Sequence, residues 1–507
     1  MLRFLYRLPL FVILMGIASI AMLLPAIHAS ALDLHRIAQP FFYGAILFLV
    51  LTSLVGLATL DRKPKNMSRS HLLTLVSTFA LLPVMLAVPM REAVPDASFL
   101  NVYFEMVSSL TTTGATVFDP PSRLAEPLHL WRALVAWLGG FLMLLAAVAI
   151  FAPMNLGGFE VLRPLRSSAQ GAGMPAQDIR AGDPRERLVR FTAQLFPLYL
   201  GATLFLWVAL VVTGMSPFFA LVSAMSTLCT SGIIPGSTLD GSEGGIGAEI
   251  LIFVFMIIAI SRQTLQNDFN RAFLPRLVDD REMRLAFVLL TMVPLALFLR
   301  HWIGAFEVSE EGDVLAGLRA LWGAAFTVLS FLTTTGFISD GWQEARAWSG
   351  LPTPGLILAG LAILGGGVAT TAGGVKLLRV YALYKHGVRE MGRLVHPSSI
   401  GSEGRLGREV RREGAFVAWI FFMLFALSIA AIMLMLAATG LSFEEAMVFA
   451  VASFSTTGPL AEVVLDGSLS YVTLSPTAKL VLSGAMVLGR LETLAIIALL
   501  NPDFWRS

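Results

Sequence analysis

The side chains with chemistry to offer are gathered in four short runs. They are Ser109-Leu110-Thr111-Thr112-Thr113-Gly114-Ala115, Leu228-Cys229-Thr230-Ser231-Gly232-Ile233, Leu332-Thr333-Thr334-Thr335-Gly336-Phe337 and Phe454-Ser455-Thr456-Thr457-Gly458-Pro459. Each is rich in hydroxyls, ends in one Gly and lies between long apolar segments. An alkali cation stripped of its water needs a replacement shell of oxygens, and rings of backbone carbonyls from four loops supply one in cation channels. Aiming successive carbonyls at one axis takes the backbone out of its ordinary regions, which Gly permits without steric cost. The Thr or Ser before each Gly adds hydroxyl oxygen. The ion-facing candidates are Thr112, Thr113 and Gly114; Thr230, Ser231 and Gly232; Thr334, Thr335 and Gly336; and Thr456, Thr457 and Gly458. A single Thr-Thr-Gly would read as a turn or a packing contact, since small residues are common where membrane helices meet. Four copies in register outweigh that reading.

Composition sets the surroundings. The chain has 507 residues, 56% hydrophobic and 14% charged, with mean hydropathy +0.76. A soluble protein could not hide that much apolar surface, so this is a polytopic membrane protein. One cysteine, Cys229, excludes a disulfide framework and a multi-Cys metal site. The seven His are scattered, and no phosphate-cradling Gly loop is present. An intramembrane enzyme would need a nucleophile and base, or a metal cluster, at membrane depth; the sequence offers neither. No cofactor and no nucleic-acid partner are expected.

The elements that must position the runs repeat. Each unit reads as long apolar helix, short helix, hydroxyl–Gly loop, long apolar helix. Unit one has a span near 71–90, a short helix near 98–110 and a span near 130–152. Unit two has 190–213, 217–228 and 247–262; unit three 284–303, 314–331 and 354–384; unit four 415–439, 442–454 and 477–500. Most short helices are about half of the ~20 residues needed to span, so they are re-entrant. Non-helical backbone at membrane depth is tolerated only inside protein or around a water-filled cavity. The four loops are therefore expected to meet around one axis. The fold class is an all-α membrane protein of four helix–pore-loop–helix units in pseudo-fourfold symmetry, after two N-terminal helices. The divisions are 1–69, 70–165, 186–275, 282–400 and 410–507. Residues 1–31 carry some marks of a leader, with Arg3, Arg7 and Ala29-Ser30-Ala31, but the run from 8 to 27 is long enough to span. A second span near 41–60 brings the total to about ten spanning helices.

Basic residues orient the chain. Arg163, Arg166, Arg180, Arg185, Arg187 and Arg190, and Arg405, Arg408, Arg411 and Arg412, lie on one side. Asp119, Asp240, Glu243, Asp340, Glu462 and Asp466 lie on the other. Both termini are then cytoplasmic and all four loops face outward. The four units share one orientation, unlike the inverted repeats of many secondary transporters.

With these motifs the sequence resembles the Trk/Ktr/HKT superfamily of potassium transporters. Its two extra N-terminal helices resemble the TrkH-type bacterial membrane subunit. Trp137-Leu138-Gly139-Gly140, Gly392-Arg393-Leu394-Val395-His396-Pro397, Gly489-Arg490-Leu491-Glu492 and Asn501-Pro502-Asp503-Phe504-Trp505 carry the likeness further. The resemblance implies potassium uptake across the bacterial inner membrane, with the ion at Thr112, Thr230, Thr334 and Thr456. It also implies a homodimer in membrane lipid and a separate cytosolic nucleotide-binding regulator of the TrkA or KtrA type. A less selective potassium/sodium pathway, or a cation-coupled symporter of the same fold, is the alternative. Unit two departs from the pattern. Its second helix ends in Ile260-Ser261-Arg262-Gln263-Thr264-Leu265 where the family is Gly-rich, and its loop carries Cys229 and Ser231.

Two further features concern control. The second helix of unit three is interrupted by Gly365-Gly366-Gly367-Val368-Ala369-Thr370-Thr371-Ala372-Gly373-Gly374-Val375-Lys376. Each Gly costs a helix about 1 kcal/mol relative to Ala, so the stretch is either a tight packing site or a loop. Related proteins use this position as an intramembrane gate, which assigns Gly365, Gly366, Gly367, Thr370, Thr371, Gly373, Gly374 and Lys376 to gating. Arg490 ends an apolar run from Leu480. It either snorkels or pairs with Glu492, or, as the resemblance implies, forms a barrier beside the gate. Glu105 either bonds backbone N–H groups near its loop or faces the outer vestibule. Asp119, Asp340 and Glu462 either gather cations at the mouth or are ordinary solvated acids.

Overall fold

In lipid, an apolar segment must satisfy its backbone internally, and helix does this within one segment. A computed structural model of the protein is helical in every regular element among the described residues. The structure describes residues 8–60, 67–154, 158, 184–236, 244–265, 277, 279–303, 314–351, 353–395, 412–465 and 469–491. Arg163, Arg166, Arg180, Arg405, Arg408, Arg411, Asp240, Glu243, Asp466, Glu492 and the 501–505 motif lie outside them.

The first helix is two pieces, α1 (Leu10–Ala21) and α2 (Leu23–Ala31), joined at the fully buried Met22. Both pack on α3 (His35–Thr59). Unit one is α4 (Met67–Ala93), α5 (Phe99–Leu110) and α6 (Glu126–Ala146, widening over Ala147–Phe151). Unit two is α7 (Pro184–Val212), α8 (Pro217–Cys229) and α9 (Gly245–Met256). Unit three is α10 (Arg281–Ile303), α11 (Val314–Leu332), α12 (Trp342–Ser349), α13 (Gly355–Leu364) and α14 (Leu377–Val395). Unit four is α15 (Arg412–Ala437), α16 (Phe443–Phe454), α17 (Leu460–Val463) and α18 (Pro476–Leu491). Local signals set the starts of the pore helices α5, α8 and α16. Ser98 accepts the Asn101 N–H at 3.2 Å, Pro217 opens α8, and Ser442 with Glu445 forms a capping box.

The sequence reads as about ten spans over the whole chain. Among the described residues seven helices are long and apolar enough to cross a membrane. The described second helices of units two, three and four are shorter. α9 tightens over Ile257–Ala259, α13 stops at the left-handed Gly365, and α18 is described only to Leu491. The pore helix of unit three, at 19 residues, is longer than a half-span, and α12 was not expected at all.

The units close a circle. The second helix of each packs on the pore helix of the next: α6 on α8, α9 on α11, α13 on α16, and α18 back on α5. Small residues make this possible. A methyl group on Gly139 would lie 2.0 Å from the Leu110 carbonyl oxygen, and one on Gly489 2.0 Å from that of Phe454, so both helices touch their own pore helix backbone to backbone. Gly140 does the same for the next unit, where a methyl would meet Cys229 Cβ at 2.6 Å.

Candidate ion pathway

The four runs end their pore helices in one way. At Thr112, Thr230, Thr334 and Thr456 the backbone is left-handed, with φ of 55°, 55°, 57° and 57°. The next N–H in each run reaches back to the helix: Thr113 to Ser108 (2.8 Å), Ser231 to Ser226 (3.1 Å), Thr335 to Ser330 (2.8 Å) and Thr457 to Ala452 (2.8 Å). This is the Schellman ending, whose left-handed residue is usually Gly. Here a β-branched residue takes it four times, at about 1–3 kcal/mol each, which the surrounding packing must overcome. The sequence put the unusual backbone on Gly alone. Gly114, Gly232 and Gly336 do have φ of 76°, 68° and 84°, but Gly458 is not among the left-handed residues.

The glycines lock each run to the next. A methyl on Gly114 would fall 1.9 Å from the Ser231 carbonyl oxygen, and one on Gly232 2.3 Å from that of Thr335. On Gly336 it would fall 2.9 Å from the Pro459 ring, and on Gly458 2.2 Å from the Ala115 nitrogen. The Gly458 N–H donates to the Thr113 carbonyl at 2.6 Å and closes the ring.

The hydroxyls divide into two sets. Thr113 and Thr335 pair sideways with Thr111 and Thr333 at 2.8 and 2.9 Å, and Ser455 donates to Thr457 at 3.2 Å. Cys229 occupies that place in unit two, and Ser231 pairs with Ser226 instead, at 3.0 Å. These hydroxyls stiffen the wall. The left-handed threonines behave differently. Thr230 donates to the Cys229 carbonyl at 2.7 Å, and Thr334 accepts the Gly373 N–H at 2.7 Å. The Thr112 and Thr456 oxygens are buried without a hydrogen-bond partner. Orphaned buried oxygens call for an explanation. These sit where four helix C-termini converge, each with its negative dipole end, a setting that favours positive charge.

Beneath this ring lies the stretch 365–376. It folds back on itself: Val375, Lys376 and Leu377 donate to the carbonyls of Ile363, Leu364 and Gly366 at 2.9, 2.9 and 3.0 Å. Its tip reaches the threonine layer. Besides the Gly373–Thr334 bond, Thr371 donates to the Leu228 carbonyl at 3.2 Å. A methyl on Gly373 would lie 2.3 Å from Thr456 Oγ1, and one on Gly365 2.2 Å from the Gly373 carbonyl oxygen. Gly366 and Gly367 press on the carbonyls of Ala259 and Ile260, Gly374 on Gly365, and Thr370 bonds the Gly367 carbonyl at 2.7 Å. Lys376, left-handed and buried, donates to the Ala372 carbonyl. Arg490, 2% exposed, donates to the Thr371 carbonyl at 2.6 Å. It is buried against the interrupting loop and does not snorkel.

Acids brace the segments that follow the ring glycines. Glu105, paired with the buried Arg132, accepts the Val117 N–H at 3.0 Å and the Thr116 hydroxyl at 3.2 Å. Glu249, which sequence reasoning missed, does the same for unit three. Its carboxylate accepts from Asp340 N–H and Ser339 hydroxyl, each at 3.0 Å, and from the Trp322 indole at 2.6 Å. One acid in the apolar run 245–259 was the available signal, because such residues in membrane segments are seldom idle. Asp119, Asp340 and Glu462 are exposed. Glu462 is open to solvent yet walled by protein. That burial, and then the neighbouring Asp119 charge, push its carboxyl up to about 7, with Arg132 opposing.

The fold and this ring define a class of membrane protein, built from four helix–pore-loop–helix units around a shared centre. The TrkH family, described as cation transport protein, matches residues 37–505. The Trk system potassium uptake protein TrkH of Vibrio parahaemolyticus is 29% identical over 98% of both chains. TrkI of Halomonas elongata, also named a Trk system potassium uptake protein, is 29% identical over 85% of this chain and 82% of its own. The crystal structure of the potassium transporter TrkH from Vibrio parahaemolyticus superposes with a TM-score of 0.81, at 26% identity and 99% coverage of both chains. The chain belongs to the TrkH family of cation transport proteins, a transport family and not an enzyme family.

Proposed function

We propose that the protein takes up potassium across the bacterial inner membrane through the ring at Gly114, Gly232, Gly336 and Gly458. The observation that carries this reading is the repeated Schellman ending. It gives Thr112, Thr230, Thr334 and Thr456 the same left-handed backbone, each followed by the residue whose N–H bonds back to its pore helix. Among the described residues, two of the threonine oxygens have no hydrogen-bond partner. Potassium is cargo here, held by these oxygens in place of water. The relatives named as potassium uptake proteins support the choice of ion. The stretch 365–376 is the gate, and Arg490 adds a positive charge beside it that repels cations until the loop moves. The membrane potential drives passage, each unit charge gaining about 2.3 kcal/mol per 100 mV. Both termini are cytoplasmic, the unit divisions are those given above, and the chain works as a homodimer with a separate nucleotide-binding regulator of the TrkA or KtrA type. Unit two's Cys229 and Ser231 favour a second reading, a pathway that also admits sodium.

Rubidium uptake into proteoliposomes under an imposed potential tests this. Block by potassium and much less by sodium is the expected result. Equal block would establish the second reading. Dependence on a sodium or proton gradient would make the protein a symporter. No uptake, even after deletion of 365–374, would sink the proposal.

A further inference from the structure

The upward contacts of the loop 365–376 belong to the gate just described. Two bonds among the described residues hold its downward side. The Gly367 N–H donates to the Ala259 carbonyl at 3.0 Å, and the Val368 N–H donates to Glu282 Oε1 at 2.7 Å. Glu282 stands in the first turn of α10, 4% exposed, where the chain enters unit three from the cytoplasmic connection. A carboxylate is expensive to bury and earns its place through the groups it holds. Its own N–H is fixed by Asp280 Oδ1 at 3.2 Å, and the other Asp280 oxygen takes the Ser261 hydroxyl. Ser261 belongs to the end of unit two where the sequence departs from its family. One short segment, 280–282, thus ties the exit of unit two to the underside of the loop. Val368 is fully buried, so water cannot replace the bond if the carboxylate leaves.

We infer that Glu282 is a positioning residue that latches the loop 365–376 from the cytoplasmic side, so that a shift of the segment 280–282 releases the pathway. The inference rests on the reading of that loop as the gate. The side chain acts through Val368 and does not touch the ion. What it supplies is an acceptor, which Gln retains and Ala does not.

The test is rubidium flux through full-length protein in proteoliposomes, with potassium-against-sodium competition measured in parallel. Glu282→Ala is expected to raise flux about tenfold, the factor that loss of one hydrogen bond of about 1.4 kcal/mol gives. Glu282→Gln should keep the low flux, and the competition ratio should stay unchanged in both, because the ring above is untouched. If the Ala variant does not fold, Glu282→Asp replaces it, being one methylene too short to reach. Wild-type flux from the Ala or Asp variant, equal leak from the Gln variant, or an altered competition ratio would each overturn the latch. Deletion of 365–374 runs beside them. If the deletion raises flux and the Ala variant does not, the latch alone fails; if neither does, the gate itself fails.

Discussion

Two layers of the molecule, one above the other, are built on opposite plans. The upper is made four times over from one motif, with the same left-handed Thr, the same back-bond and the same closure on the neighbouring run. The lower is made once, by unit three alone, from glycines and small residues that thread between the other units. Repetition suits coordination, since a bare cation wants oxygens from all sides. A single loop suits control, since one segment can move without dismantling the ring. The upper layer is strained and over-determined, while the lower is held by a few nameable hydrogen bonds.

Breaking the upper layer is expected to cost most. Gly114→Ala drives a methyl into the Ser231 carbonyl and should reduce rubidium uptake at least a hundredfold, since about 3 kcal/mol of strain is a factor of that order. Uptake near wild type would mean that the ring does not need its seal. Freeing the lower layer should act in the other direction. Arg490→Ala removes the bond to Thr371 and a buried positive charge, and should raise flux about tenfold without altering ion preference. Unchanged currents would assign the arginine a packing role only. A smaller effect is expected from making the upper layer more uniform. Cys229→Thr gives unit two the hydroxyl that Thr111 and Thr333 use, and should raise preference for potassium over sodium by a few-fold in competition assays. A lower preference would show that the unit-two asymmetry is needed. The smallest effect lies at the mouth. Glu462 carries its charge above about pH 7 and loses it below. Uptake at low potassium should therefore fall modestly as outside pH drops through 7, and Glu462→Gln should flatten that profile at the lower level. A profile unchanged by the substitution would remove Glu462 from the mouth.

Much of this was legible in the sequence because it is written locally. Period and apolar length place the pore helices to within a residue or two. The interruption at 365–376 shows in its glycines. What could not be read is written across distance. Nothing near Glu249 announces that it will hold Ser339 and Asp340, and Glu282 looks like an ordinary acid in a helix's first turn. The left-handed threonines were hidden for another reason. Local preference argues against a β-branched residue there, and only the assembled ring overrules it. The second helices of units two and three read as longer than they are, because hydropathy continues where α9 tightens over Ile257–Ala259 and where α13 stops at Gly365.

The circle of units has an order in time as well as in space. The bond from Gly458 to Thr113, and that from Lys479 to Asn101 at 3.0 Å, join the last unit to the first. A ribosome delivers these partners at opposite ends of the task. Until unit four is inserted, the first three form an open arc with a bare flank, whose oxygens surround nothing. The seal of the ring is therefore the last thing the chain acquires, and a chain stopped before Gly458 lacks the bond to Thr113 that closes it.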